Sequence, residues 1–334
     1  MRKQLEVLQY ERKKYGNKEV FFHLLQKVAP TQELRAYFFA KYLTEKDLAY
    51  RKYTESELRA DVEDKFFLAT GLKLDLDHPR LFGEKIQWLK LYDELELKTR
   101  LADKYLVRDW VKSKIGEEYL IPILGVWDNF DQIDFDALPD QFCLKMNHGS
   151  GMNSVVKDKA QMNMRKTRKL FKAWERTPFY AGTLELQYRD IPRKIIAEKY
   201  IEEMSGSLMD YKIHCFHGKP VMIQIICDRD FEGHIAKEAY YDINWNRDYT
   251  SKSSFPALDK EIEKPDNLDS MLAIAERLSE GLKYVRVDLY NLKGRILFGE
   301  MTFSPASGME EWGWKEHGEK FGRMLHLGLP EEQV

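Results

Sequence analysis

Two alternating, β-rich segments toward the C-terminal end carry charged residues at two-residue spacing. They are Tyr284-Val285-Arg286-Val287-Asp288-Leu289-Tyr290 and Arg295-Ile296-Leu297-Phe298-Gly299-Glu300-Met301-Thr302. Between them Asn291-Leu292-Lys293-Gly294 has turn chemistry, so a hairpin is expected. Alternate residues of a strand share a face, so Arg286 and Asp288 project together, as do Glu300 and Thr302. An odd-numbered connection would set Arg286 opposite Glu300, with Asp288 diagonal to it. Carboxylates held that close repel unless a cation lies between them, and Mg²⁺ favours one or two carboxylates together with phosphate oxygens. A metal-binding hairpin and a solvated hairpin face use the same residues, and this segment alone suits both.

Three further segments could share in such chemistry. Gln141 to Met146 reads as a strand, followed by Asn147-His148-Gly149-Ser150-Gly151-Met152 and a second strand to Lys157. The glycines let the backbone approach a ligand and present its amides to anionic oxygens, with Lys145 supplying charge. A plain hairpin turn needs glycine too. The loop fits neither the Walker pattern, since no GK[ST] follows, nor a GxGxxG entering a helix. Arg193 to Glu202 is an apolar strand ending in the charged and aromatic Glu198-Lys199-Tyr200-Ile201; it suits either a planar ring or an ordinary strand end. The next strand places Asp210, Lys212 and His214 on one face, the pattern of a cleft wall.

Other chemistries lack their signatures. His214 and His217 have opposite parity in one strand, and no HExxH, GxSxG or DxD in a suitable strand-loop context occurs. Asp128, Asp131, Asp134 and Asp136 read as an acidic surface loop. The 53 basic and 55 acidic side chains nearly cancel, which removes a global electrostatic case for nucleic acid or an acidic membrane. Cys143, Cys215 and Cys227 are far apart in apolar runs, as expected of buried, reduced thiols in a cytoplasmic protein. The N-terminal residues lack the apolar run of a secretory signal, and no apolar stretch approaches the roughly 20 residues of a membrane span, so a soluble protein is expected.

The elements that must position these residues change along the chain. Val20 to Val28, Glu33 to Leu43, Glu55 to Thr70 and Gly83 to Tyr92 have helical periodicity, and Thr54 with Glu57 forms a capping-box pattern. Beyond Tyr119 strands are expected at Gln141 to Met146, Lys194 to Ile201, Asp210 to Phe216, Pro220 to Cys227, Tyr284 to Tyr290 and Arg295 to Thr302. Helices are expected at Met164 to Glu175 and Leu268 to Leu282. Antiparallel hairpins mixed with helices indicate an α+β fold. Residues 1–100 are expected to form a helical N-terminal region, 101–200 a first α+β subdomain, and 201–334 a second one containing the hairpin.

In chain order these pieces resemble the ATP-grasp superfamily. More narrowly, Phe82-Gly83-Glu84-Lys85-Ile86-Gln87-Trp88-Leu89-Lys90-Leu91-Tyr92, Leu101-Ala102-Asp103-Lys104-Tyr105-Leu106-Val107-Arg108, Leu144-Lys145-Met146-Asn147-His148-Gly149-Ser150-Gly151 and Asp210-Tyr211-Lys212 resemble the teichuronopeptide-biosynthesis (TupA-like) ATP-grasp family of bacterial surface-polysaccharide clusters. The resemblance spans about residues 60 to 325 and leaves the first 60 outside it.

It implies a fold of two α+β subdomains clamping ATP. It assigns Lys104 and Lys145 to the phosphates and His148, Gly149, Ser150 and Gly151 to the loop over them. Glu198, Lys199, Tyr200 and Ile201 would form the adenine linker, read mainly through the backbone of Lys199 and Ile201, and Asp210 would bind the ribose. Asp288 and Glu300 would ligate Mg²⁺, and Arg286 would stabilise the transferring phosphoryl group. Lys212 and His214 are candidates for acceptor or phosphate contact.

The superfamily's usual Glu-x-Asn is Glu300-Met301-Thr302 here, so the third metal ligand is the neutral hydroxyl of Thr302 or is absent. The usual α/β N-terminal half is replaced by helices. The implied activity is that of an ATP- and Mg-dependent carboxylate-amine ligase acting through an acyl-phosphate. Its substrates would be a uronic-acid sugar or peptide and an amino acid or amine, and it could associate peripherally with a polysaccharide assembly system. A sugar kinase on the same fold, a nucleotide-binding scaffold and a glycosyltransferase-associated protein are the alternatives.

Overall fold

The computed structural model describes residues 2–201, 208–230, 235–250, 255–310, 313, 315 and 317–329. In chain order, α1 (Arg2–Tyr15), α2 (Asn17–Val28), α3 (Gln32–Tyr50), α4 (Glu55–Thr70), α5 (Phe82–Tyr92), α6 (Leu95–Ala102) and α7 (Val107–Lys114) precede the first strand. Then follow β1 (Ile123–Trp127), β2 (Phe142–Met146), β3 (Asn153–Val156), α8 (Met164–Trp174) and β4 (Ile195–Lys199). The remainder is β5 (Asp210–Phe216), β6 (Lys219–Asp230), β7 (Ile235–Asp242), β8 (Arg247–Asp248), α9 (Leu268–Ser279), β9 (Tyr284–Leu292), β10 (Arg295–Thr302) and α10 (Gly318–Met324). Among the described residues, no helix is long and apolar enough to cross a membrane.

The chain forms two compact units, each gathering separate stretches. Met1–Lys73, Leu95–Tyr105 and Pro122–Tyr200 make one; Leu74–Glu94, Leu106–Ile121 and Ile201–Val334 make the other. The division differs from the expected boundary near residue 100, because α1 to α4 and α6 belong with the first sheet whereas α5 belongs with the second. Helical periodicity marks the helices but not the sheet each covers.

In the first unit β1, β4, β2 and β3 form an antiparallel sheet in that order. Strand alternation gives it two unlike faces. Phe142, Leu144, Met146, Ile195 and Ala197 pack with Leu170, Phe171 and Trp174 of α8. The other face carries Cys143, Lys145, Ile196 and Glu198. Among the helices, α4 starts at the expected capping box: Thr54 and Glu57 satisfy each other's backbone donors, and Gly71 in the left-handed conformation ends it.

In the second unit the order is β10, β9, β5, β6, β7 and β8, all neighbours antiparallel. One end of one face is apolar, where Phe216, Tyr284, Met222 and Tyr240 pack with Phe82, Ile86 and Leu89 of α5 and Phe321 of α10. Lys85 Nζ donates to the Leu325 carbonyl at 2.7 Å and Gln87 Nε2 to that of Ser307 at 2.8 Å, which ties α5 to the segments after β10. The polar residues of the Phe82–Tyr92 motif therefore hold the fold together. Strand β7 was not expected from the sequence, since Lys237 and Glu238 interrupt its alternation; Glu238 nevertheless faces inward and is buried.

Candidate functional site

The β9–β10 hairpin closes at a two-residue turn, Lys293-Gly294, with φ of 52° and 94°, and Leu292 opposite Arg295. That connection pairs Phe298 with Leu289 and would leave Glu300 on the face opposite Asp288. A bulge between Phe298 and Glu300 shifts the register by one, so Glu300 lies directly opposite Asp288 and Thr302 opposite Arg286. The expected Arg286–Glu300 pairing is thus corrected to Asp288–Glu300: the turn is even and the bulge supplies the odd step. A Cβ at Gly299 would stand 3.0 Å from the Asp288 carbonyl oxygen, so the close approach at the bulge favours glycine.

The same register runs on across the sheet. Lys212 pairs with Asp288, Gln224 with Lys212, and Tyr240 with Gln224. One transverse row therefore reads Glu300, Asp288, Lys212, Gln224, Tyr240, and beside it lies Thr302, Arg286, His214. Arg286 grips Asp288 with two bonds, Nε to Oδ1 at 2.7 Å and Nη2 to Oδ2 at 2.8 Å, while Lys212 pairs with the same carboxylate. Arg286 Nη2 also donates to Thr302 Oγ1 at 3.1 Å and lies 3.5 Å from Glu300 Oε1. Burial opposes a charged guanidinium, but Asp288 and Glu300 reverse that and hold Arg286 firmly protonated.

Accessibility separates the two carboxylates. Asp288 is 3% exposed, whereas the Glu300 side chain retains 32%. Thr302 donates to Glu300 Oε1 at 3.2 Å while accepting from Arg286, so its hydroxyl orients Glu300. His214 is fully buried, its Nδ1 2.8 Å from the Tyr284 hydroxyl; burial, with Arg286 and Lys212 nearby, holds it neutral. The sequence put it on the right face, and it lies opposite Arg286 next to the apolar end of the sheet. Asp210 lies along the same strand, 3.8 Å from the Lys212 ammonium.

In the first unit the expected phosphate loop is pinned from below. Asn147 Nδ2 donates to the Pro192 carbonyl at 2.8 Å and its Oδ1 accepts from the Lys194 amide at 2.8 Å. His148 is buried, with Nε2 3.2 Å from the Thr177 carbonyl; burial chiefly, with help from Arg193, pushes it down to about 4. It is therefore an uncharged anchor of the loop, in which Ser150 and Gly151 are exposed. Lys104 Nζ donates to the Gly149 carbonyl at 2.6 Å, and Lys145 Nζ meets Glu198 Oε2 at 2.5 Å across the polar face of the sheet. The Lys199 amide donates to the Pro122 carbonyl at 2.9 Å; Tyr200 is half-buried and Ile201 buried.

Sequence reasoning missed the continuation of the polar row. Gln224 Nε2 donates to Glu238 Oε2 at 3.1 Å and to the Tyr240 hydroxyl at 2.9 Å, all three buried. Its signal was a lone glutamine inside the apolar run Val221 to Cys227. Also missed was the turn at Pro305–Gly308, where Ala306, Ser307 and Gly308 all have positive φ. Backbone strain in non-glycine residues persists only where surrounding contacts enforce it, here Gln87 on the Ser307 carbonyl.

The donor set fits a hard divalent cation. Glu300 and Asp288 are carboxylates on directly opposite residues, and Thr302 aims the more exposed of the two. The Lys104, Lys145 and glycine-loop set fits an anionic ligand by the same test of charge and exposed backbone.

A family model described as TupA-like ATPgrasp matches residues 84–326. No curated relative matches the sequence. Among solved structures, a D-alanine–D-alanine ligase from Bacillus anthracis is 18% identical with a TM-score of 0.35, covering 61% of this chain and 57% of its own. The chain thus spans little more than half the length of that enzyme. A D-alanine–D-alanine ligase from Helicobacter pylori is 16% identical over 73% of this chain and 69% of its own, with a TM-score of 0.40. The D-cycloserine synthetase DcsG is 15% identical over 69% and 70%, with a TM-score of 0.37.

Proposed function

Since the chain belongs to the TupA-like ATP-grasp family, we propose that it is an ATP-dependent carboxylate–amine ligase working through an acyl-phosphate. The observation that carries the reading is the register of the second sheet, which sets Glu300, Asp288 and Lys212 in one row with Arg286 beside them. Phosphoryl transfer passes through a loose, highly charged transition state and needs positioned charge more than a nucleophilic side chain.

In this reading, Lys104, Lys145 and the loop Gly149-Ser150-Gly151 hold the phosphates of ATP, with Asn147 and His148 keeping the loop in place. Glu198 to Ile201 face the base, and Asp210 the ribose. Asp288 and Glu300 hold Mg²⁺, which neutralises phosphate charge when bound. Arg286 binds the transferring phosphoryl oxygens. Its two bonds to Asp288 fix the guanidinium plane before substrate arrives, so little reorganisation remains for the reaction. Lys212 adds a second cation at the same carboxylate.

A carboxylate oxygen of the substrate attacks the γ-phosphorus, forming an O–P bond as ADP leaves. The amine nitrogen then attacks the acyl carbon; the C–N bond forms, the C–O bond to phosphate breaks, and the amine loses a proton. The substrates we propose are a uronic-acid sugar or peptide and an amino acid or amine, in bacterial surface-polysaccharide synthesis within the cytoplasm. The test is a matrix of uronic acids and amines incubated with the protein and Mg·ATP, scored for phosphate release and product mass. An amide appearing with equimolar phosphate is expected. Phosphate retained on a sugar hydroxyl would replace the ligase reading with a kinase.

A further inference from the structure

Residues 2–28 hold a buried group of side chains that the ligase reading does not use. Helix α1 supplies Glu11, and α2 supplies Glu19 and His23, four residues apart and therefore on one face. Gly16, with φ of 98°, makes the sharp link that brings the two helices together. One ligand atom from each of the three residues lies within 4.8 Å of the others. They are 5%, 0% and 7% exposed.

Glu11 is well provided for: Tyr42 donates to its Oε1 at 2.8 Å and the His23 ring meets its Oε2. Burial works against its charge, yet His23 and Lys46 hold it below the ordinary range. Glu19 is not provided for. Neither of its carboxylate oxygens has a hydrogen-bond partner among the described residues. A buried carboxylate without a donor beside a second carboxylate is costly unless a cation joins them.

We propose that Glu11, Glu19 and His23 form a binding site for a first-row divalent metal, with Zn²⁺ as its representative. One imidazole nitrogen and two carboxylate oxygens suit zinc, which takes such ligands at about 2.0–2.2 Å and accepts a water as the fourth. The nitrogen donor distinguishes this site from the all-oxygen set at Asp288 and Glu300, which suits Mg²⁺. Tyr42, bonded to the second Glu11 oxygen with its ring 4.7 Å from that of His23, orients two of the three ligands. Binding would tie α1 to α2 and so stabilise the helices ahead of the family-matched region.

The test uses the full-length chain, stripped of metal by chelation and equilibrated with Zn²⁺ under excess Mg²⁺. Bound zinc is counted by mass spectrometry, and thermal unfolding is followed with and without zinc. Wild type is expected to hold one more zinc per chain than Glu19→Gln, and zinc should raise Tm only in wild type. Should Glu19→Gln not fold, His23→Gln carries the same comparison. Equal zinc content in wild type and variant, or a Tm indifferent to zinc, would overturn the proposal and leave Glu11 and Glu19 sharing a proton.

Discussion

Asp288 in the second sheet is gripped by Arg286 and Lys212, whereas Glu19 in the N-terminal helices is equally buried and has no donor on either oxygen. In the sheet, pairing across strands brings opposite charges into one row, and each carboxylate is met by cations already in the fold. In the helices, Asp61 is satisfied, by three tyrosine hydroxyls and Lys65, but Glu11 and Glu19 lie side by side and need a further positive charge or a proton. The first arrangement is a prearranged field suited to a charged reaction. The second sets two buried carboxylates side by side, the setting of the proposed metal site. The difference teaches that burial alone does not mark a reactive site; what the neighbours already neutralise decides.

Asp288→Asn probes the contrast hardest. It leaves Arg286 and Lys212 facing each other in a buried row, so ATP-dependent turnover should fall about 1,000-fold or more and stability should drop by about 3–5 kcal/mol. Steady-state kinetics and denaturant unfolding read the two effects. Asp61→Asn should cost a similar stability, about 3–5 kcal/mol, because it strips Lys65 of a buried partner. Turnover of the folded fraction should stay at the wild-type value, and a parallel loss of kcat would remove the separation between the clusters.

Glu300→Gln should reduce kcat about 100-fold and raise the Mg²⁺ concentration needed for half-activity, with little change in Tm, since Glu300 is partly exposed. Gly299→Val tests the bulge itself. A crowded Cβ against the Asp288 carbonyl should displace Glu300 and cost about tenfold in kcat, and Gly299→Val should add no further loss on the Glu300→Gln background. The smallest effect concerns acid. Buried His148 sits at about 4 against 6.5 unfolded, so the unfolded chain binds the extra proton first. Its contribution to stability is full above pH 6.5 and is lost as pH falls toward 4, about 1 kcal/mol by pH 5.5. Unfolding at pH 7 and 5.5 should show a smaller acid loss in His148→Gln than in wild type.

Much of the second sheet was legible because strand alternation is short-ranged. Asp210–Phe216 and Arg295–Thr302 have the expected bounds, and Arg286 with Asp288 shares a face as alternation requires. Register was not legible, since it depends on a two-residue turn and a bulge at Gly299 that act together. Depth was not legible either: parity places His214 beside Lys212, but only the packing of α5 and α10 at that end of the face explains why one is sealed and the other reaches the row. In the helices, the capping box and the bounds of α4 followed from local pattern. The buried charges did not, because Glu11, Glu19, Lys46 and Asp61 read as solvent-facing in any single helix and become interior only when several helices meet.

The central claim is that the Asp288 and Glu300 row, with Arg286 beside it, activates a carboxylate by phosphorylation. With the carboxylate and amine found in the substrate matrix, ¹⁸O in the carboxylate should be followed into products by mass spectrometry. The account predicts one labelled oxygen transferred to each released phosphate in wild type, and the same transfer about 100-fold slower in Glu300→Gln. Amide formation with all of the label retained outside phosphate would contradict it.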